Sequence, residues 1–188
     1  MSYIEAWRNG QVVRKHTMEN IRAENDAEHT WGLTMLLICA WPNVPEHIIK
    51  MAIIHDCGER ATGDMPGPTK WANPVLGDEM DRLEKQHIMD TLPEHLCDDY
   101  KTTTESEWAV IEFFDRAEFC ISMARERRLG NTYAMIYMER SYNKMTQTFD
   151  NHKVAFTKMD TELLMGMMDL RAEIRTEMDK LERGDFKW

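Results

Sequence analysis

Residues 105–129, ESEWAVIEFFDRAEFCISMARERRL, decide the fold. Val110, Phe113, Phe114, Ala117, Cys120, Ile121 and Ala124 recur at the 3.6-residue helical period and form one apolar stripe. Trp108, Ile111 and Phe119 fall on the opposite side. A helix apolar on two sides is normally buried, so this one is predicted to run through the centre of its domain. Asp115 lies in angle between Ile111 and Phe119, within the second apolar face. A charge buried there without a partner costs on the order of several kcal/mol. A bound cation is one such partner; Arg116 or Arg125 is another.

Outward from this segment, nearly every periodic stretch reads as helix: Glu28 to Trp41, Pro45 to about Asp56, Pro74 to Leu92, Thr132 to Asp150 and Asp160 to Arg183. No run alternates apolar and polar residues for long, and no Asn-Gly or Asp-Gly hairpin signal occurs, so the expected class is all-α. Pro45 suits a first helical turn and Gly130 a helix end. Gly63 to Pro68, with two glycines and two prolines, reads as a loop. Methionines such as Met35, Met51, Met135, Met138, Met167 and Met168 read as core filler. Leu163, Met167, Leu170, Ile174 and Leu181 form a seam, either within the chain or between subunits.

The chain has 188 residues, and residues 1–188 read as a single domain. Its 23 Lys+Arg stand against 33 Asp+Glu, a formal charge of −10. That balance excludes a protein that tracks the phosphates of long nucleic acids, while leaving room for a small anionic substrate in a locally cationic pocket. Cys39, Cys57, Cys97 and Cys120 are widely spaced, with no C-x-x-C, and read as reduced thiols rather than zinc ligands or disulfides. The first residues lack a signal-peptide pattern, and the longest apolar run, Met35 to Trp41, is too short to span a bilayer. A soluble, cytoplasmic protein without a membrane partner is expected. His47, His87, His95 and His152 read as solvated, and Arg125 to Arg128 as a helix-end charge cluster. The tail from Arg183 to Trp188 either frays or packs its aromatics on a neighbour.

Three segments carry chemistry: Glu24-Asn25-Asp26-Ala27-Glu28-His29 at a helix start, His55-Asp56-Cys57-Gly58-Glu59 after an apolar run, and Asp115. Taken singly, each has a plain reading: a helix-start histidine, a chance dipeptide and an arginine partner. Taken together, His29, His55, Asp56 and Asp115 offer two imidazoles and two carboxylates to one divalent cation. That mixed set suits Mn²⁺, Co²⁺, Fe²⁺, Ni²⁺ or Zn²⁺ better than Ca²⁺ or a thiolate-selected metal. Four ligands leave an open position for water and a substrate oxygen. On a continuing helix Glu59 would share a face with His55 and Asp56, where it could serve as a general acid/base without being a ligand.

The order H…HD…D, with 26 residues from His29 to His55 and 59 from Asp56 to Asp115, resembles the HD-domain metal phosphohydrolases. Arg22 to His29 is similar to the R-x-E-N-x-x-E-H of the bacterial HD-domain 5′-deoxynucleotidases. His55 to Glu59 and Thr62 to Lys70 resemble their H-D-x-x-E and T-G-D-x-P-x-P-x-K. Arg14-Lys15-His16-Thr17 also resembles related phage enzymes, among them dATP triphosphohydrolases. The matches run from about Arg14 to Asn131.

The resemblance implies an HD-domain helical bundle with one divalent metal held by His29, His55, Asp56 and Asp115. It implies that Glu59 handles the attacking water and the leaving oxygen, and that Asp64 assists beside the phosphate or sugar. Arg14 would neutralise phosphate, with Lys70 helping from the loop. The substrate implied is a deoxynucleotide, cleaved as a monophosphate or as a triphosphate, and the assembly a homo-oligomer, dimer or higher. The family's tryptophan after the arginine, held to crowd a ribose 2′-hydroxyl, is Lys15 here. Exclusion of ribose then falls to another bulky group such as His16 or Trp31, and a lysine there suits the extra phosphates of a triphosphate. The competing readings are an HD hydrolase of another metabolite such as an alarmone, and a catalytically silent nucleotide-binding module.

Overall fold

The computed structural model describes residues 3–16, 18–65 and 67–187. In chain order the elements are α1 (Tyr3–Arg8), a 3₁₀ turn (Asn9–Gln11), β1 (Val13–Arg14), β2 (Glu24–Asn25), α2 (Asp26–Ala40), α3 (Glu46–Ile54), α4 (Glu59–Thr62), α5 (Gly67–Ala72), α6 (Pro74–Thr91), α7 (Glu94–Thr102), α8 (Glu105–Arg128), α9 (Ala134–Met159) and α10 (Thr161–Glu182). The all-α class holds. Two compact units are formed, one from Met1–Trp31 with Lys50–Thr102, the other from Gly32–Ile49 with Thr103–Trp188. Among the described residues no helix is long and apolar enough to cross a membrane.

In the second unit α8, α9 and α10 pack on one another. Helix α8 starts at a capping box: the Thr104 hydroxyl accepts from the Glu107 backbone N–H, and the Glu107 carboxylate accepts from Thr104 N–H at 2.7 Å. Val110, Ile111, Phe113, Phe114, Ala117, Cys120 and Ala124 are buried as the periodicity predicts, whereas Ile121 is 42% exposed. Phe113 meets Phe114 edge-on, with ring centroids 5.3 Å apart, and the aromatic row continues through Phe149 to Phe156. Each such fully buried side chain contributes roughly 1.5–3 kcal/mol of transfer free energy. Leu163, Met167, Ile174 and Leu181 are buried within this single chain, so the α10 seam is intrachain. Met35 and Met168 are exposed rather than core. In the tail, Phe186 packs beneath the Arg127 guanidinium, 5.1 Å from the ring centroid.

Helix α9 runs nine residues past the expected end at Asp150, to Met159. The polar run after Asp150 looks like an end, but Phe149 and Phe156 lie seven residues apart on one buried face and carry the helix through it. Asp160 then turns extended and caps α10, its carboxylate accepting from Glu162 N–H at 2.8 Å.

In the first unit α6 packs against α4, α5 and α7. A Cβ on Gly58 would come within 2.6 Å of Glu84 Cβ on α6, so only glycine permits this approach. Thr62 donates to the Glu84 carboxylate at 2.9 Å, and Lys70 donates to Asp81 at 3.0 Å. These ties fix the segment that follows His55 and Asp56. The expected loop from Gly63 to Pro68 is shorter than predicted, because Gly67 and Pro68 already belong to α5. A proline in a first helical turn loses no hydrogen bond that the helix would make. Pro66 lies outside the described residues. The short helices α1, α4, α5 and α7 and the pair β1–β2 were not expected, since segments this brief show no full period. In that antiparallel pair Val13 faces Asn25 and Arg14 faces Glu24.

Candidate active site

Helix α2 carries Asp26 and His29 three residues apart, hence on one face. His29 is completely buried. Helix α3 stops at Ile54, and the chain continues through tight turns: Cys57 N–H bonds to the Ile54 carbonyl at 3.0 Å and Glu59 N–H to the Asp56 carbonyl at 2.9 Å. The helix expected to about Asp56 thus ends two residues earlier, and a turn and the short helix α4 carry the chain to Glu59. Asp56 and Glu59 nevertheless reach one cluster, because each turn spans three residues.

His55 Nδ1 lies 2.8 Å from the Ala52 carbonyl oxygen, which can only accept, so Nδ1 carries the proton. In the neutral ring the lone pair then sits on Nε2, 3.1 Å from Asp56 Oδ2. His29 Nε2 lies 3.6 Å from the same oxygen, and the two imidazole centroids are 5.5 Å apart. With the His55 ring neutral, the lone pair faces the carboxylate and a cation between them satisfies both; with the ring protonated, the same Nε2 donates to Asp56. Two imidazoles and a carboxylate aimed at one point, with one ring oriented by a backbone carbonyl, are the donors and outer support a divalent transition metal requires. The residues fit the metal.

Beside this point the carboxylate oxygens of Asp26, Asp56 and Glu59 lie within 4.8 Å of one another. The Arg14 guanidinium enters among them: Nη1 bonds to Asp56 Oδ2 and lies 3.5 Å from Asp26 and 3.8 Å from Glu59. Burial works to raise the Asp56 pKa, but His55, Arg14 and His29 outweigh it and hold the carboxyl well below the usual range. Glu59 is pushed up to about 9 by burial and by Asp56, with Arg14 opposing and Asp64 and Asp26 adding to the rise. Asp26 is raised to about 7, mainly by burial, against the pull of Arg14. The cluster thus separates an ionised carboxylate suited to hold a cation from a carboxyl that keeps a proton at neutral pH.

The other expected residues are placed as follows. Asp64 accepts from the backbone N–H of Lys15, which adopts a left-handed φ of 56°. The Lys15 ammonium is buried and ion-paired with Glu24. His16 is exposed, and Trp31 is 70% exposed. Lys70 ties α5 to Asp81 and Glu84 of α6. Asp115 sits on α8 in the second unit, with Oδ2 3.7 Å from Arg116 Nε. Two acidic residues went unassigned in the sequence reading, Asp26 and Glu24. The three-residue step from Asp26 to His29 was a visible signal for the first; nothing in the sequence pairs Glu24 with Lys15.

An all-helical chain that brings a histidine, a His-Asp pair and a glutamate together has the fold and donor set of the HD class of metal-dependent phosphohydrolases. Within that class, the chain belongs to the YfbR-like 5′-deoxynucleotidase family, whose profile matches residues 3–160. A 5′-deoxynucleotidase of Erwinia tasmaniensis is 31% identical over 138 residues, covering 64% of this chain and 70% of the relative. The 5′-deoxynucleotidase YfbR of Salmonella arizonae is 30% identical over the same length, covering 69% of that protein. Among solved structures, the HD phosphohydrolase DatZ of cyanophage S-2L, bound to dA and one catalytic Zn²⁺, superposes with a TM-score of 0.60. It is 20% identical, and the match covers 94% of this chain and 98% of DatZ. A Pyrococcus horikoshii protein gives a TM-score of 0.66 at 16% identity, over 93% of this chain and 96% of that one.

Proposed function

We propose that this protein is a divalent-metal-dependent phosphohydrolase of deoxynucleotides that releases the 5′ phosphate of a deoxynucleoside monophosphate. The observation that carries the reading is the convergence of His55 Nε2 and His29 Nε2 on Asp56 Oδ2, beside Arg14 and Glu59. The family membership and the dA seen in DatZ support the deoxynucleotide. His29, His55 and Asp56 would hold the metal, with Asp115 as fourth ligand on the family's sequence pattern. When bound, the metal supplies Lewis acidity toward a phosphate oxygen and toward the attacking water.

The chain's own groups do the rest. Arg14 neutralises the phosphate charge, as phosphoryl transfer requires. Glu59, raised in pKa by burial, would give its proton to the leaving 5′ oxygen and take one back from the attacking water. Asp64, fixed by the Lys15 N–H, borders the phosphate or sugar, and Lys70 braces the loop through α6. His16 or Trp31 would limit access of a ribose. Cleavage of a deoxynucleoside triphosphate is the second reading. The pairing of the Lys15 ammonium with Glu24 weighs against it, because that charge is already compensated. Residues 1–188 would act as one catalytic domain, in the cytoplasm and without polymeric nucleic acid or membrane as partner. A homo-oligomer, dimer or higher, is the expected assembly.

The test is a substrate panel. Purified protein with Co²⁺ or Mn²⁺ is given dNMPs, dNTPs, NMPs and a guanosine polyphosphate alarmone, and released phosphate and nucleoside are measured. Turnover of dNMPs above the others is expected. An enzyme that hydrolyses only the alarmone, or no nucleotide at all, overturns the reading.

A further inference from the structure

Lys15 is tied down at its N–H, its carbonyl and its side chain. The N–H donates to the Asp64 carboxylate, and the carbonyl accepts from Met18 N–H at 2.9 Å and from the Asn20 side-chain amide at 3.0 Å. The ammonium is ion-paired with Glu24, the two side chains being 5% and 13% exposed. The φ of 56° is left-handed, a conformation disfavoured for a residue that carries a Cβ. Such a backbone persists only where its surroundings over-determine it. Arg14, one residue back, faces Glu24 across the β1–β2 pair, which brings Glu24 beside Lys15. Asp64 follows Gly63, the residue that ends α4, and its charge is near enough to Glu59 to add to the rise in that carboxyl's pKa.

We infer that Glu24 is a positioning residue for Asp64: its ion pair holds Lys15 in the left-handed turn from which the Lys15 N–H fixes the Asp64 carboxylate. The inference rests on the phosphohydrolase reading above, with Asp64 beside the phosphate or sugar. With the Lys15 side chain held by Glu24 and its carbonyl by Met18 and Asn20, φ sets where the N–H points, and at 56° it points to Asp64. A hydrogen bond to a carboxylate is charge-assisted, so it holds a rotamer that a solvated aspartate would leave. A lysine acting on substrate through its charge would gain nothing from a left-handed backbone. An ion pair that merely stabilised the fold would act in the same way whatever residue stood at position 64.

The experiment compares Co²⁺-loaded wild type with Glu24→Gln, Lys15→Ala, Lys15→Gly, Asp64→Ala and the Glu24→Gln/Asp64→Ala double variant. Steady-state kinetics give kcat and KM for a dNMP. Labelling with ¹⁵N-lysine follows the Lys15 amide, identified by its absence from Lys15→Ala. Glu24→Gln is expected to lower kcat about tenfold, with KM within about twofold. Where Asp64→Ala is already present, the same change costs less than about twofold more. Lys15→Gly, which accepts a left-handed φ without a Cβ penalty, loses less kcat than Lys15→Ala. The Lys15 amide proton moves upfield in both Glu24→Gln and Asp64→Ala, as weakening of one charge-assisted bond requires. A kcat loss that persists undiminished beside Asp64→Ala, equal losses in Lys15→Gly and Lys15→Ala, or an amide that Glu24→Gln leaves unmoved overturns the inference. If wild type turns over no nucleotide, the phosphohydrolase reading fails while the amide shift still decides the coupling of Glu24 to Asp64. If wild type is active and Glu24→Gln matches it in both readouts, only the role of Glu24 fails.

Discussion

The Nε2 atom of His55 lies 3.1 Å from Oδ2 of Asp56, its own neighbour in the chain. Adjacent side chains on a helix diverge by about 100°, so they do not normally meet. They meet here because α3 ends at Ile54 and the chain enters three-residue turns, while the Ala52 carbonyl holds the other nitrogen of His55. One local break in a helix thereby brings the two side chains of a dipeptide together as candidate metal donors.

Metal binding should therefore stabilise the protein. Co²⁺ at about a hundredfold its Kd contributes roughly 2.7 kcal/mol, which raises Tm by about 5–10 °C for a chain of this size. His55→Ala should abolish the rise and strip bound metal. Thermal scans with and without Co²⁺, together with metal counting, check this; an equal Tm rise in the variant would remove His55 from the ligand set.

Glu59 is raised to about 9 by burial and its acidic neighbours, the condition for a general acid at neutral pH. Glu59→Gln should lower kcat by about a hundredfold to ten-thousandfold while metal content stays at the wild-type level. Steady-state kinetics and metal analysis give the answer together. A fall in metal content that tracks the fall in rate makes Glu59 a ligand instead.

Gly58 lies two residues beyond Asp56, with α6 against it. Its Cβ in Gly58→Ala would sit 2.6 Å from Glu84 Cβ and 2.7 Å from the Glu84 carbonyl oxygen. Forcing α4 and α6 apart should cost about 1–3 kcal/mol and displace Asp56. Urea unfolding and kcat are expected to drop in the same variant; unchanged values in both would show that the approach is not tight.

Burial pushes the Glu107 carboxyl up, but hydrogen bonds from the Thr104 backbone, His47 and the Thr104 hydroxyl outweigh it and hold the pKa below its usual 4.5. A depressed carboxylate contributes stability that is present in full above the unfolded value of 4.5 and is lost as pH falls through the lower folded value. Glu107→Gln should thus be less stable than wild type near neutral pH, by about 1 kcal/mol, with the gap closing in acid. Denaturant titrations across that range measure it. A gap that widens on acidification reverses the sign and rejects the account.

Much of the fold and of the candidate site is legible in the chain alone. The periodic helices α2, α3, α6, α8 and α10 fall within about two residues of their expected bounds, because each is long enough to repeat its apolar face. The motif residues His29, His55, Asp56 and Glu59 were visible for a different reason: their chemistry is unusual in combination. Lys70 and Lys15 were read as cations for the substrate, and each proves to have acidic partners, Asp81 and Glu84 for one and Glu24 for the other. Charge pairing across a fold leaves no trace in local composition.

By itself, then, the amino-acid order determined the helical class, the donor types offered to a metal and the family pattern, since all three are written in local periodicity and short motifs. Only the tertiary structure decided that Arg14 enters among Asp26, Asp56 and Glu59, that Asp26 lies beside them, and that burial raises the Glu59 pKa. The physical reason is that burial and electrostatic coupling depend on distance in space. Arg14 is 42 residues from Asp56 along the chain, and a two-residue strand pair, too brief to show any period, brings it there.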